Sequence, residues 1–435
     1  MLSTFIGTPN KAQTNLVHLG NPQNMRVLFL TQWFDPEPAF KGAHFVQALK
    51  RAGLDVEVAT AFPNYPGGKI YAGYRVRAYQ RDPNYSFPLH RLPIWPSHDR
   101  SAIGRMLNYV SFFLSSFIFG LFAARRFDVV YVYHPPITPG LAAALFCALH
   151  RKPLIIEIQD LWPDSVTSSG MTSRRVTALL AHACHFVYKR ASLIIPQSDG
   201  MRQKLVDRNV PAAKIKRLYN WSTYTPAAHD YKPQAPDHIA VAFSNRINVV
   251  YGGNLGQAQS LVDVVDAVVI AAKANPSIHL HIFGNGIERE ALEHQISGKA
   301  RHCATLHAAV DRLTMDRIFD NADILILHLK NDALYDVTIP SKLQHYLSCG
   351  KPIVAGVRGE AAEILTQSGA AYVCAPQDPI AISQAITELA ARPATERREL
   401  GRLGRAFYNK KMSFDRAIQF TVAQIEQTFD EYHRR

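Results

Sequence analysis

The chain has 435 residues, of which 47% are apolar, and a formal net charge of +13. It is too long for one ordinary domain and too apolar to be disordered throughout, which leaves two packed domains as the expectation. Its five cysteines (Cys147, Cys184, Cys303, Cys349, Cys374) are odd in number and lack metal-ligand or redox spacing, which argues against a disulfide scaffold and suits a reducing compartment.

Taken in order, residues 1–24 are polar and aperiodic and read as a disordered extension with no secretory signal in it. Arg26–Thr31 is a strand. A loop with Pro36, Pro38 and Gly42 leads into an amphipathic helix through Phe45, Leu49 and Ala52, which Gly53 ends, and Val56–Thr60 is a second strand. Residues 62–99 are rich in Pro, Tyr and Arg, and periodicity assigns nothing there.

Met106–Ala124 is a run of 19 residues without a charge, flanked by Arg100, Arg105, Arg125 and Arg126. Its length admits a membrane span, a helix lying in the interface or a buried core helix. Asn108, Ser111 and Ser115 form a polar stripe at helical spacing, and the strand Asp128–His134 follows at once, so the segment stays with its α/β unit. The basic flanks favour an interfacial role for part of its surface, with Phe113 and Phe117 as candidate lipid-facing side chains.

The alternation continues with a helix near Gly140–His150, a strand Leu154–Gln159, a helix near Arg174–Arg190, and strands at Leu193–Pro196 and Ile215–Leu218. A patternless stretch then reads as a linker, 222–240. The second half repeats the grammar: Val249–Tyr251 runs into Gly252–Gly256, a helix covers Leu261–Ala272, and strands follow at His279–Phe283, Ile324–Leu329 and Pro352–Val357. Phe414, Ile418, Val422, Ile425 and Phe429 mark one stripe of a last helix. The expected architecture is α/β, with two tandem Rossmann-like domains at 25–221 and 241–412, a cleft between them, and a helix at 413–435 crossing back to the first domain.

Charge divides unevenly. Between Met25 and Trp221, 25 Lys and Arg face 12 Asp and Glu, a net of +13, whereas residues 222–435 hold 22 against 23. The first half is therefore the part that meets an anionic partner: nucleic acid, a membrane surface or a phosphorylated substrate. The basic residues lack the aromatic interleaving of nucleic-acid modules, so no nucleic acid is expected.

Ligands of open parallel sheets bind beyond the carboxyl ends of the strands. In the second half that rule selects Gly252–Gly256, Gly284-Asn285-Gly286 and the stretch from Asp336 to Glu360. There Thr338-Ile339-Pro340-Ser341-Lys342 opens a helix whose free N–H groups, with the Lys342 charge, suit an anion. Leu343, Tyr346 and Leu347 bury that helix, Gly350 stops it, and an ordinary capped helix–strand unit is the plainer alternative. In the first half the rule selects Trp33–Gly42, His134-Pro135-Pro136 and Asp160–Asp164. His134 and Asp160 can meet as base and polariser, or serve only as a structural histidine and an N-cap.

Five blocks give the chain a likeness: FPNYPGGKIYAGY (62–74), DLWPDS (160–165), YGGNLGQAQSL (251–261), FGNG (283–286) and IPSKLQHYLSCGKPIVAGVRGEAAEIL (339–365). From about Met25 to Phe414 it resembles the GT-B glycosyltransferases of family 4, in the bacterial branch that builds O-antigen, capsule and exopolysaccharide, and is similar there to L-fucosamine- and fucose-type transferases. The resemblance implies a UDP- or GDP-linked sugar donor on the second domain and a lipid-linked sugar acceptor on the first. It also implies transfer with retention and without a metal or other cofactor, by an enzyme peripheral to the cytoplasmic face of the cell membrane. Matched by position, Gly42 lies near the donor diphosphate, Gly253, Asn254 and Gly256 form the phosphate-side loop, and Gly284, Asn285 and Gly286 meet the base edge. Pro340, Ser341 and Lys342 face the diphosphate and Glu360 borders the site. The catalytic candidates are His134, Asp160 and Lys342; those for membrane or acceptor are Arg105, Phe113, Phe117, Arg125 and Arg126.

Three departures stand out. Asn254 and Gln259 occupy places where the broad family has an arginine and a lysine. His345 stands where it has a ribose-holding glutamate. Asp336 is not at the usual acidic spacing upstream. A nucleotide-sugar epimerase or hydrolase on the same fold is the alternative function, and a non-enzymatic basic binding protein is a further one.

Overall fold

The computed structural model describes residues 25–97, 102–134, 136–164, 174–224, 243, 246–333 and 335–434. The extension at 1–24 and most of the expected linker lie outside them. The first half contains β1 (Arg26–Leu30), α1 (Ala43–Arg51), β2 (Asp55–Ala61), β3 (Gln80–Arg81), β4 (Leu89–Leu92), α2 (Ala102–Ala123), β5 (Val129–His134) and α3 (Ile137–His150). It continues with β6 (Leu154–Ile158), α4 (Arg174–Arg190), β7 (Leu193–Pro196) and α5 (Asp199–Asp207). These strands form one seven-stranded sheet in the order β3-β4-β2-β1-β5-β6-β7, parallel except where β3 meets β4. Apolar runs buried on both faces, such as Val27–Leu30 and Val129–Val132, are what a parallel sheet covered by helices requires.

The second half contains β8 (Ile247–Gly252), α6 (Leu261–Ala274), β9 (Ile278–Phe283), α7 (Arg289–Gln295), β10 (Ala304–His307), α8 (Arg312–Asn321) and β11 (Ile324–His328). After it come α9 (Ser341–Cys349), β12 (Ile353–Gly356), α10 (Gly359–Ser368), β13 (Ala371–Cys374), α11 (Pro379–Ala391), α12 (Ala394–Lys411) and α13 (Phe414–His433). Its six strands run β10-β9-β8-β11-β12-β13. The strand order reverses beside β1 in the first sheet and beside β8 in the second, so each has a crevice there. In α13, Ala417, Ile418 and Ile425 pack in one buried cluster with Phe29, Phe45 and Trp221 of the first domain.

Two expectations need correction, and one unassigned stretch resolves into strands. Ile215–Leu218 is not a strand: it makes a single bridge, Ile194 to Ile215, and runs on beside β7 with Lys216 N–H bonded to Ile194 O. The stretch 62–99, which periodicity left unassigned, contains β3 and β4; Arg91 in β4 is fully buried against Asp82 at 3.2 Å, so a charged pair hides the strand pattern. The exposed face of α2 also differs from the one expected: Phe113 and Phe117 are half-buried, with Phe117 packed on the core. The exposed crest is Met106, Val110, Leu114 (50%), Ile118 (54%) and Phe122 (82%). On the opposite face Phe112 is fully buried, Gly120 sits so close to Phe146 of α3 that a Cβ would meet its ring at 2.1 Å, and Asn108 bonds Gln32 and the Trp95 carbonyl. Of the polar stripe, Asn108 lies on the inner face of the helix, whereas Ser111 and Ser115 are half-buried on its flank.

The halves also touch directly. The Glu360 carboxylate accepts N–H bonds from Asp199 (2.7 Å) and Gly200 (2.6 Å) at the start of α5, and Ser198 Oγ donates to Val337 O at 2.8 Å. Glu360 caps a helix of the other domain.

Candidate active site

The first turn of α9 is the base of the site. Pro340 is the N-cap and has no side-chain oxygen to give, so the cap residue makes no side-chain hydrogen bond to the first N–H groups of this helix. Leu343, Tyr346 and Leu347 are buried and fix the helix, which leaves Ser341, Lys342 and His345 on the side facing the cleft. Lys342 lies with its ammonium 4.7 Å from the centre of the Tyr251 ring. Among the described residues no ion-pair partner is found for it, and burial alone brings its pKa down to about 8. A cation largely shielded from water without an anion, beside a helix N-terminus, has the chemistry to receive an anionic ligand.

Two glycines make this possible. Gly253 has φ +134° and Gly284 φ +151°, both in the range that favours glycine. A Cβ on Gly253 would stand 2.6 Å from Lys342 Cε, and one on Gly284 would stand 1.9 Å from Gly253 O. The loops after β8 and β9 therefore lie against each other and against the lysine stem. They are zipped by Gly253 N–H to Phe283 O and Leu255 N–H to Asn285 O, each 2.9 Å. Those N–H groups are engaged within the protein, so the first turn of α9 is the better source of phosphate donors.

Around these elements is a cavity of about 760 Å³. Gly253, Asn254, Gly284, Asn285, Ser341, Lys342 and His345 line it together. Behind that lining, Gly256 N–H bonds Gln259 Oε1 (3.1 Å) and Gly286 packs on the Leu255 backbone. Gly42 is one step away: it lines an adjoining cavity of about 640 Å³ with Asp35, whose carboxylate accepts from Ala43 N–H at 2.5 Å and starts α1. Phe40, Trp221, Ser222, Thr223 and Arg312 line both spaces, and Arg312 holds the chain there through Thr223 O at 2.5 Å.

Two expected site residues lie apart from this cavity. Glu360 is engaged with α5, as described, and borders a separate interdomain recess with Arg217 and Lys411. Asp160 lies beyond the end of β6, next to β5, where Ile158 pairs with His134. It is open to solvent, yet the atoms crowded around it push its carboxyl above the usual range. The His134 side chain lies outside what the structure describes, so no contact between it and Asp160 is stated. Arg105 lies half-buried on α2, while Arg125 and Arg126 are exposed beyond its other end, Arg126 being 3.6 Å from Glu57.

Sequence reasoning missed Asp316. It lies on α8, which carries no motif, and it is 6% exposed in the cavity wall. The available signal was a carboxylate at the edge of the buried face that Met315, Ile318 and Phe319 define. His345, whose place was noted as unusual, has its Nε2 3.1 Å from Asp316 Oδ1 and its Nδ1 3.1 Å from Ser222 Oγ.

Comparison with known proteins adds the class. One family model, described as Glycosyl transferase 4-like domain, matches residues 43–221, and another, Glycosyl transferases group 1, matches 246–392. A protein of Escherichia coli (strain K12) bearing the name colanic acid biosynthesis glycosyl transferase WcaI is 25% identical over 344 residues, 75% of this chain and 82% of that one. The crystal structure of Anabaena HepE in complex with UDP superposes with a TM-score of 0.62 at 14% identity, covering 93% of this chain and 100% of that one. Sucrose-phosphate synthase from Thermosynechococcus elongatus gives 0.65 at 14% identity, covering 94% and 100%. At such identities the structures establish the GT-B fold, and the family models and named relative establish the family. The chain belongs to the family 4 glycosyltransferases, and it is a glycosyltransferase.

Proposed function

We propose that this glycosyltransferase takes its sugar from a UDP- or GDP-linked donor held on the second domain and passes it, with retention at the anomeric carbon, to a lipid-linked acceptor in the synthesis of a bacterial surface polysaccharide. The observation that carries the donor half is Lys342, a half-buried ammonium without an ion-pair partner among the described residues, next to the uncapped first turn of α9. When the bond from the anomeric carbon to the diphosphate breaks, negative charge grows on the leaving oxygen, and a fixed ammonium and N–H groups stabilise it there. For retention, the acceptor hydroxyl forms its new bond on the face the diphosphate leaves, and its proton passes to the departing phosphate oxygen. Positive charge at the diphosphate then comes from the protein, so no metal is required in this reading. HepE in complex with UDP has the same fold, and the name WcaI carries a polysaccharide, colanic acid; both support the reading.

The acceptor half rests on α2. Its apolar crest, with Arg125 and Arg126 exposed beyond its end, suits a helix lying in an anionic membrane interface, at the cytoplasmic face where a lipid-linked acceptor is met. Burial above all, and the Asp160 carboxylate to a lesser degree, raise the pKa of the Tyr109 hydroxyl on α2; in this reading an acceptor arriving along the helix meets Asp160. The test is a panel of nucleotide-sugars scored by thermal stabilisation, since a bound donor stabilises the folded state by mass action. One donor raising the unfolding temperature in proportion to the logarithm of its concentration supports the reading. No response to any nucleoside diphosphate or its sugars overturns it. Activity that survives EDTA supports the metal-free part; loss restored by a divalent ion overturns it.

A further inference from the structure

Asp316 is the group in the cavity wall that the reading so far leaves unused. Its Oδ1 is buried and has no aligned hydrogen bond, although His345 Nε2 is only 3.1 Å away; the imidazole approaches at a poor angle. A buried carboxylate oxygen left in that state is costly, so it calls for a donor that arrives with a ligand. Ser222, Thr223, Asn285 and Arg312 also line the cavity, but among the described residues none of them gives this oxygen a hydrogen bond.

His345 is held from behind. Its Nδ1 meets Ser222 Oγ at 3.1 Å, and Ser222 is itself fixed by its N–H to Tyr408 Oη at 3.0 Å and by Ser348 Oγ at 2.9 Å. With a carboxylate next to Nε2, the proton belongs on Nε2 and the Ser222 hydroxyl donates to Nδ1. The cavity wall thus presents a carboxylate acceptor and an imidazole N–H side by side. Lys342 and His345 are three residues apart on one helix, about 4.5 Å along its axis, so this pair lies roughly one turn beyond the anion receptor.

We infer that Asp316, positioned by His345, receives the vicinal hydroxyls of the donor's ribose, so that this chain reads ribose with a carboxylate on α8. The inference rests on the nucleotide-donor reading above. A carboxylate accepts two hydroxyl hydrogens at once, and the spacing from Lys342 suits a sugar attached to the diphosphate held there. His345 is a positioning residue in this account.

The experiment is calorimetric binding of UDP and GDP, and of the 2′-deoxy and 3′-deoxy forms of whichever binds, to the full chain and to Asp316→Asn and His345→Ala. Removing a hydroxyl from the nucleotide should weaken binding to the unaltered protein by about 10-fold or more. Asp316→Asn should lose a comparable factor for the ribonucleotide and nothing further for the deoxynucleotide, and His345→Ala should follow the same pattern. That pairing separates recognition from a structural effect, because a merely loosened site weakens both ligands alike. Equal affinities for ribo- and deoxynucleotide in the unaltered protein overturn the ribose assignment and leave the donor site standing, and they need no variant to fold. Absence of any nucleoside diphosphate binding overturns the donor reading, and the ribose assignment with it.

Discussion

Replacing Lys342 with methionine separates binding from stability. Methionine keeps an apolar stem against Tyr251 and Gly253 and removes only the ammonium. Burial brings the folded pKa of Lys342 to about 8, below the ordinary 10.5, so the folded state binds protons less readily. Below pH 8 both states carry the charge and the fold bears the full cost of holding it out of water. Stability therefore rises as pH climbs from 8 towards 10.5, and Lys342→Met should be as stable as the parent protein, or more so, at pH 7. Binding moves the other way. A hydrogen bond involving a charged group contributes about 1.5–3 kcal/mol, so the variant should bind the nucleoside diphosphate roughly 10- to 150-fold more weakly. An anion raises the lysine pKa on binding, so affinity should be level below about pH 8 and fall above it, a fall the methionine variant lacks. Calorimetry at pH 7 and pH 9 alongside thermal unfolding reads both effects. A variant that unfolds earlier while binding nucleotide normally would make Lys342 a structural residue and refute this reasoning.

Gly253→Ala should both destabilise the protein, by about 1 kcal/mol or more from its positive φ, and weaken nucleotide binding by pushing on Lys342, read by unfolding and calorimetry together. Unchanged affinity would show that the lysine stem has room the geometry denies. Leu114→Ser with Ile118→Ser, on the exposed crest of α2, should release the protein from anionic vesicles without lowering its unfolding temperature; retention on the vesicles contradicts the interfacial role. His279 and His281 are buried and neutral, with pKa values lowered by burial to about 4 and about 2 from 6.5. Their folded values lie below the unfolded one, so their contribution to stability is complete above pH 6.5 and is lost as pH falls below it. A thermal midpoint that stays level from pH 7 to pH 5.5 would contradict this.

What the sequence reveals of this molecule follows from what its strands bury. Val27–Leu30 and Ile324–Leu327 are apolar on both faces and can be read directly. β4 cannot, because its Leu-His-Arg-Leu run carries a buried arginine whose partner, Asp82, lies nine residues upstream. At the site, the glycines and Lys342 are legible because their chemistry is local: a positive φ, an uncapped helix end, a charge. Asp316 and Glu360 are not. The role of each depends on what a carboxylate meets across the fold, the cavity for one and the α5 N-terminus for the other, and neighbours in sequence say nothing of that. The α2 segment falls between these cases. Its amphipathic stripe is visible, but which edge faces outward depends on where α3 packs, and Gly120 against Phe146 settles it.

The central claim is transfer of a sugar from a nucleotide donor to an acceptor, and isotope tracing tests it most directly. Purified protein is incubated with each labelled nucleotide-sugar, with and without membranes carrying lipid-linked acceptors. The account predicts that label from one donor enters the lipid extract in step with nucleoside diphosphate release, only when acceptor is present, and that Lys342→Met loses most of both. Label recovered as free sugar or as an epimerised nucleotide-sugar, with no need of acceptor, would contradict it.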